Sequence, residues 1–155
     1  MSAQPDNPGV RIPPPLFYAA AIVGGWLLDR RWSLSIGAGV LRPMLAWLLF
    51  ASFLLLMGSS VGSFRRKRTS FLPFRPATTL VISGPYRYTR NPMYVAAVLL
   101  TVALGLWLNT WWPIVLLIPT LVIIRHHVIG REESYMRRRF GAEYDAYTKQ
   151  VRRWL

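Results

Sequence analysis

Met93-Tyr94-Val95-Ala96-Ala97-Val98-Leu99-Leu100-Thr101-Val102-Ala103-Leu104-Gly105-Leu106-Trp107-Leu108, then Asn109-Thr110, then Trp111-Trp112-Pro113-Ile114-Val115-Leu116-Leu117-Ile118-Pro119-Thr120-Leu121-Val122-Ile123-Ile124, carries no charged side chain from end to end. Two apolar runs separated by two polar residues predict a tight helical hairpin, and uncharged stretches of this length in so short a chain indicate a bilayer. Trp107, Trp111 and Trp112 cluster at its turn, as indoles do at a membrane boundary. Pro113 falls in the first turn of the second helix, where the missing N–H does no harm, and Pro119 is expected to kink it.

The same pattern extends upstream. No charge lies between Pro43 and Phe64, so Met44 to about Val61 reads as another span, with Trp47 as its anchor. A first apolar segment, Leu16 to Leu28, stops at Asp29-Arg30-Arg31 and is short for a crossing that needs about 20 residues. Met1 to Pro15, with three consecutive prolines and no cleavable signal pattern, is expected to be a flexible lead, and 16–155 a single domain. The fold expected is all-α, a membrane bundle of about four spans.

Composition agrees. Of 155 residues, 53% are hydrophobic and only 16% charged, against roughly 25% charged in a soluble domain. A net charge of +13 would suggest nucleic acid, but the basic residues flank apolar segments instead of lining a polar face, so membrane head groups are the expected partner. The absence of cysteine excludes disulfides, thiolate metal sites and a cysteine nucleophile.

Between the second and third segments runs a basic connection with no acid: Arg65-Arg66-Lys67-Arg68, Arg75, Arg87 and Arg90, broken by Pro73, Pro76 and Pro85. After the hairpin, Arg125 to Leu155 is charged and helical in pattern, with Gly141 as a break. The hairpin places both basic regions on one side, cytoplasmic by the positive-inside rule and, in a bacterium, facing in from the inner membrane. Four spans then leave Arg30, Arg31 and Arg42 outside.

Two blocks on the cytoplasmic side carry chemistry. The first is Leu80-Val81-Ile82-Ser83-Gly84-Pro85-Tyr86-Arg87-Tyr88-Thr89-Arg90-Asn91-Pro92-Met93-Tyr94; the second contains Arg131-Glu132-Glu133, Phe140-Gly141-Ala142-Glu143-Tyr144-Asp145-Ala146-Tyr147 and Val151-Arg152-Arg153. Gly–Pro turns, aromatic rings and arginines can grip a nucleotide-like cofactor, the arginine meeting a carboxylate bidentately. The same residue types also make an ordinary juxtamembrane belt. Glu132 or Glu133 can accept from a ribose or an ammonium or pair with Arg87 or Arg90; alternatively Glu133 and Arg137 form a solvated i,i+4 pair. Adjacent residues on a helix point about 100° apart, so neither the glutamates nor His126-His127 predict a metal site.

Gly84-x-Tyr86-x-x-x-Arg90-Asn91-Pro92-x-Tyr94, an uncharged hairpin, Glu132-Glu133 and Phe140-Gly141-x-x-Tyr144-x-x-Tyr147 together resemble the isoprenylcysteine carboxyl methyltransferase family and the related bacterial and phospholipid methyltransferases. The resemblance covers about residues 78–153. It implies S-adenosyl-L-methionine held between the two blocks, contacted by Thr78, Thr79, Leu80, Val81, Tyr86, Arg90, Asn91, Pro92, Met93 and Tyr94, with Glu132 closing the site. Eukaryotic members have histidine where Asn91 stands, and this chain has Val128 at the offset of an arginine thought to bind the substrate carboxylate. Arg125 and Arg131 flank that offset and are the expected catalytic pair, steering an anionic acceptor that enters from the bilayer. A lipid-like carboxylate is therefore the expected methyl acceptor; an aminophospholipid, or no reaction at all in a polybasic membrane protein, are the alternatives.

Overall fold

The structure is a computed structural model that describes residues 7–10, 12–70 and 76–154; Pro73 and Arg75 of the basic connection lie outside them. Helix α1 spans Pro14–Arg31, α2 Leu41–Arg66, α3 Pro92–Trp107, α4 Trp112–Ile123, α5 Gly130–Phe140 and α6 Ala142–Gln150. A 3-10 turn covers Gly84–Arg87, and a π-helical stretch, Ile124–Ile129, joins α4 to α5 without a break. Two rods, Leu41–Arg66 and Trp112–Phe140, are long and apolar enough to cross a membrane, and Pro92–Trp107 is a shorter apolar helix. At 1.5 Å per residue the two rods measure about 39 and 43 Å.

Helix α1 is longer than its apolar run. Pro14 and Pro15 open it from within its first turn, where a fixed φ and a missing N–H suit a helix start. At its other end Arg30 stacks its guanidinium 3.9 Å from the centre of the Trp26 ring, which lets the charged turn continue the helix.

The bundle is built as a membrane protein is. Leu16, Val23, Leu27, Leu45, Leu48, Leu55, Ile118 and Val122 face outward, while Ala46, Ser60, Ala96, Thr101, Ala103 and Thr120 are buried between helices. Small residues let backbones approach where lipid tails give helices no hydrophobic reason to associate. The buried hydroxyls satisfy themselves on their own helix: Ser60 Oγ donates to Leu56 O at 2.6 Å, Thr101 to Ala97 O at 2.9 Å and Thr120 to Leu116 O at 2.8 Å.

Packing is by pairs. Helix α1 lies mainly on α4, and α2 on α3, with α3 and α4 joined by the short turn through Asn109. Gly25 allows the first pairing: a Cβ there would stand 2.5 Å from the backbone nitrogen of Pro113. Helices α1 and α2 share no such packing, and the space between them, floored by α3, opens into the cavity described below.

The far end of the bundle, at the hairpin turn, is tied shut. The Trp111 amide donates to Leu34 O at 2.9 Å, Trp112 Nε1 to Trp32 O at 2.6 Å, and the Asn109 side chain bridges Ser35 and Gly37. Arg42 Nη1 donates to Leu106 O at 2.7 Å. The basic residues that the charge pattern leaves on this face thus have structural uses.

Candidate functional site

At the other end the two motif blocks meet. The block from Ala77 to Asn91 is irregular because Pro76, Pro85 and Gly84 interrupt it, and it is fixed by contacts rather than by secondary structure. The Ala77 amide donates to the Tyr135 hydroxyl at 3.0 Å, and Tyr147 Oη donates to Tyr86 O at 2.7 Å. Gly84 is required twice over: its φ is +63°, and a Cβ there would meet Ser63 Oγ of α2 at 2.6 Å.

Glu133 is the electrostatic centre of this end. Its Oε1 lies 3.0 Å from Arg90 Nη1 and accepts from Arg153 Nε at 3.0 Å, while Oε2 takes Arg153 Nη2 at 2.6 Å. With only 10% of its side chain exposed, the carboxylate is held by two guanidinium groups instead of water. The chain end is stitched in by the same residues: Arg90 N donates to Arg152 O, and Thr89 Oγ1 and Asn91 Nδ2 both donate to Arg153 O at 3.1 and 3.0 Å. Arg137, the i,i+4 candidate partner of Glu133, pairs with Asp145 at 3.3 Å instead.

Glu132 faces a different environment. It accepts a hydrogen bond from Tyr94 Oη at 2.8 Å and lines a cavity of about 590 Å³. The residue lies past Arg125-His126-His127, outside the apolar part of its rod. Burial pushes its carboxyl up to about 7, with nearby Glu133 adding to the rise and the Tyr94 hydrogen bond opposing it.

The π-helical stretch puts both glutamates here. On an uninterrupted α-helix Glu133 would point about 160° away from Leu117, on the opposite side of the rod. One extra residue accommodated in Ile124–Ile129 turns the downstream face back by about 100°, onto the side that α4 buries. Pro119 lies inside α4, and the departure from α geometry comes five residues later.

The cavity has a polar end and an apolar end. Thr79, Leu80, Val81, Tyr86, Arg90, Asn91, Met93, Tyr94 and Glu132 all line it, joined by Glu133, Tyr135, Tyr144 and Tyr147. Towards the bundle interior the wall becomes Ala19 and Ile22 of α1, Phe53, Met57 and Val61 of α2, and Ala97 and Leu100 of α3. Four expected residues stand elsewhere. Thr78 is exposed and its amide donates to Thr69 Oγ1 at 3.0 Å. Pro92 is buried as the first residue of α3. Arg125 is exposed on the π-stretch, and Arg131 is exposed with Nη1 donating to Gly9 O at 2.9 Å.

Sequence reasoning missed the contributions from the N-terminal part. Pro8, Pro13, Pro14, Pro15 and Tyr18 line the cavity, and Val10 is buried in the cluster around Ile124, Val128 and Ile129. The one available signal was Tyr18, a lone hydroxyl in an apolar run. Arg153 was visible as part of a basic chain end, but nothing in its spacing indicated a partner 20 residues away.

The chain is 38% identical over 66 residues to an uncharacterized protein of Haemophilus influenzae, a match that covers 41% of this chain and all of that one. No solved structure matches the chain. The sequence pattern of the phospholipid methyltransferase family matches residues 41–143, from the start of α2 through the cavity-lining glutamates, and the chain belongs to that family of membrane methyltransferases.

Proposed function

We propose that the protein transfers a methyl group from S-adenosyl-L-methionine to the amine of a lipid head group, on the cytoplasmic side of a bacterial inner membrane. The observation that carries this reading is the single cavity that runs from the motif residues into an apolar cleft between α1 and α2. Its volume of about 590 Å³ falls in the range of small-molecule and cofactor sites.

The cofactor fits the polar end on the chemistry of its walls. Among the described residues Arg90 keeps a buried Nε–H without a partner although Glu133 holds its Nη1, which leaves one donor for a carboxylate. Thr79 to Val81 supply backbone, Tyr86 an aromatic face, and Asn91 and Met93 the rest of the wall. When bound, the cofactor supplies an electrophilic methyl on a sulfonium. Alignment and exclusion of water are then the main tasks left to the protein.

Two features favour an amine over a carboxylate acceptor. Among the described residues the cavity wall carries one cation, Arg90, already held by Glu133, and Arg125 and Arg131 are not in the wall. An ammonium head group must lose a proton before it is nucleophilic, and Glu132, with its carboxyl near 7, is suited to receive one at working pH. A carboxylate acceptor would need no base and would meet an acidic wall. The apolar walls of α1, α2 and α3 suit acyl chains entering from the bilayer.

The test is methyl transfer from labelled cofactor to vesicles of phosphatidylethanolamine, with calorimetry of S-adenosylhomocysteine binding beside it. One binding site per chain and labelled lipid are expected. A folded, detergent-stable sample that does not bind S-adenosylhomocysteine would sink the proposal, and label found only on a prenylated or fatty carboxylate would restore the carboxyl reading.

A further inference from the structure

Helix α1 brings one polar side chain to the cavity, and no group among the described residues uses it. Tyr18 lines the wall and is 4% exposed. Its hydroxyl oxygen is buried and makes no hydrogen bond among the described residues. Its ring packs in the cluster with Leu117, Ile124 and Val128, and Tyr94 packs against that cluster. Tyr94 lines the same cavity and carries the hydrogen bond to Glu132, so both tyrosines of this cluster border the cavity.

A buried hydroxyl without a partner is a standing penalty in the empty protein. Phenylalanine would fill the same space among the same neighbours without it. Two other buried nitrogens share this condition, Arg42 Nε and Arg90 Nε, but each belongs to a guanidinium whose Nη1 is engaged. Tyr18 has one polar atom, and that atom is idle.

The neighbouring wall shows what could use it. Ala19, Ile22, Phe53, Met57, Ala97 and Leu100 have no side-chain donor, and the Tyr94 hydroxyl already donates to Glu132. An amphiphile drawn into the cleft by its acyl chains would bring ester or phosphate oxygens to this level with little to meet them. We propose that the Tyr18 hydroxyl donates a hydrogen bond to an oxygen of the lipid acceptor's head group, which makes α1 an acceptor-positioning element outside the part of the chain that matches the family. This rests on the lipid-acceptor reading above. Tyr18 is a positioning residue and takes no part in bond making.

Tyr18→Phe tests the inference in the full-length protein in detergent. Calorimetric titration with short-chain phosphatidylethanolamine should show affinity about three- to tenfold weaker than wild type, the range of one hydrogen bond. Affinity for S-adenosylhomocysteine should stay within about twofold, and thermal stability of the empty protein should be unchanged or raised, since an unpaired buried group has been removed. Equal lipid affinity in the two proteins overturns the inference. So does a parallel loss of S-adenosylhomocysteine affinity, which would place Tyr18 with the cofactor. Wild-type protein that binds the lipid but does not methylate it would defeat the methyl-transfer reading alone.

Discussion

The two ends of the bundle put their polar groups to opposite uses. At the hairpin end, Ser35, Asn109, Trp111 and Trp112 exchange short hydrogen bonds with backbone that the turns bring close, and two helices meet over a glycine. At the motif end, Glu133, Arg90 and Arg153 form a charged knot between segments far apart in sequence, and beside it a cavity keeps Glu132 and Tyr18 in its wall. The first end is closed because its polar groups satisfy one another locally. The second stays open because its charged groups brace a wall instead of filling the space, which is how a site is kept preorganised for a ligand.

The largest effect is expected where that brace is removed. Glu133→Ala leaves Arg90 and Arg153 with no carboxylate between them, and Arg90 is largely buried. Breaking a buried pair in this way costs about 3 kcal/mol, the lower end of the usual range because Arg153 is a third exposed. Thermal unfolding in detergent should show the loss, and binding of S-adenosylhomocysteine should go with it, because the same groups hold Arg90 in the wall.

Gly25→Val strikes the closed end. Its side chain would have to displace the start of α4, since even a Cβ comes within 2.5 Å of the Pro113 nitrogen. The expected destabilisation is about 2 kcal/mol, typical of overpacking. Unlike Glu133→Ala, the folded fraction should bind S-adenosylhomocysteine with nearly native affinity. Equal loss of binding in both variants would mean that the two ends are one mechanical unit, and the contrast between them would fail.

Glu132→Gln should separate stability from function, with the two moving in opposite directions. The fold raises this carboxyl from an ordinary 4.5 to about 7, so between those pH values the folded protein holds a proton that the unfolded chain has released. This group therefore makes the protein more stable as pH falls from about 7 towards 4.5, and imposes its full burial penalty above 7. Glutamine removes the charge that burial penalises, so the empty variant should be more stable than wild type at pH 8. That gain should vanish near pH 4.5. Methyl transfer should fall sharply at every pH. A variant less stable than wild type at pH 8 would show that Glu132 serves the fold.

How far the sequence reveals all this depends on whether the signal is local. Uncharged runs of fixed length identify helices α2, α3 and α4 and the turn at Asn109, because lipid sets both the length and the composition. Proline and glycine mark the irregular block around Gly84 and the break at Gly141, whose φ is +50°. Nine of the expected cofactor-contacting residues line one cavity because they come from two contiguous blocks at the mouths of neighbouring helices. What the sequence does not show is rotational phase. A π-turn has no composition of its own, so the face on which Glu132, Glu133, Arg125 and Arg131 fall could not be read from spacing at 100° per residue. The pairing of Glu133 with Arg153, and the arrival of Tyr18 from α1, depend on packing between segments with no common motif.

That rotation leads to the smallest expected effect. If the π-stretch turns the glutamates inward, the basic residues on either side turn outward, and Arg125 and Arg131 are indeed exposed. Arg131 keeps one contact, to Gly9 O at 2.9 Å, and exposed hydrogen bonds of this kind contribute little. Arg125→Ala and Arg131→Ala should each change stability by less than about 0.5 kcal/mol and S-adenosylhomocysteine affinity by less than about twofold. Turnover is the informative measurement. With an amine acceptor seated inside the cavity, neither substitution should lower kcat/KM by more than about threefold, and both should soften the dependence on anionic lipid in the vesicle, since exposed arginines at a membrane surface attract such lipids. A tenfold fall in kcat with S-adenosylhomocysteine binding intact would mean that an arginine aligns the acceptor from outside the wall. The anionic acceptor would then regain its case, and the open end would have to include the rim of the cavity as well as its lining.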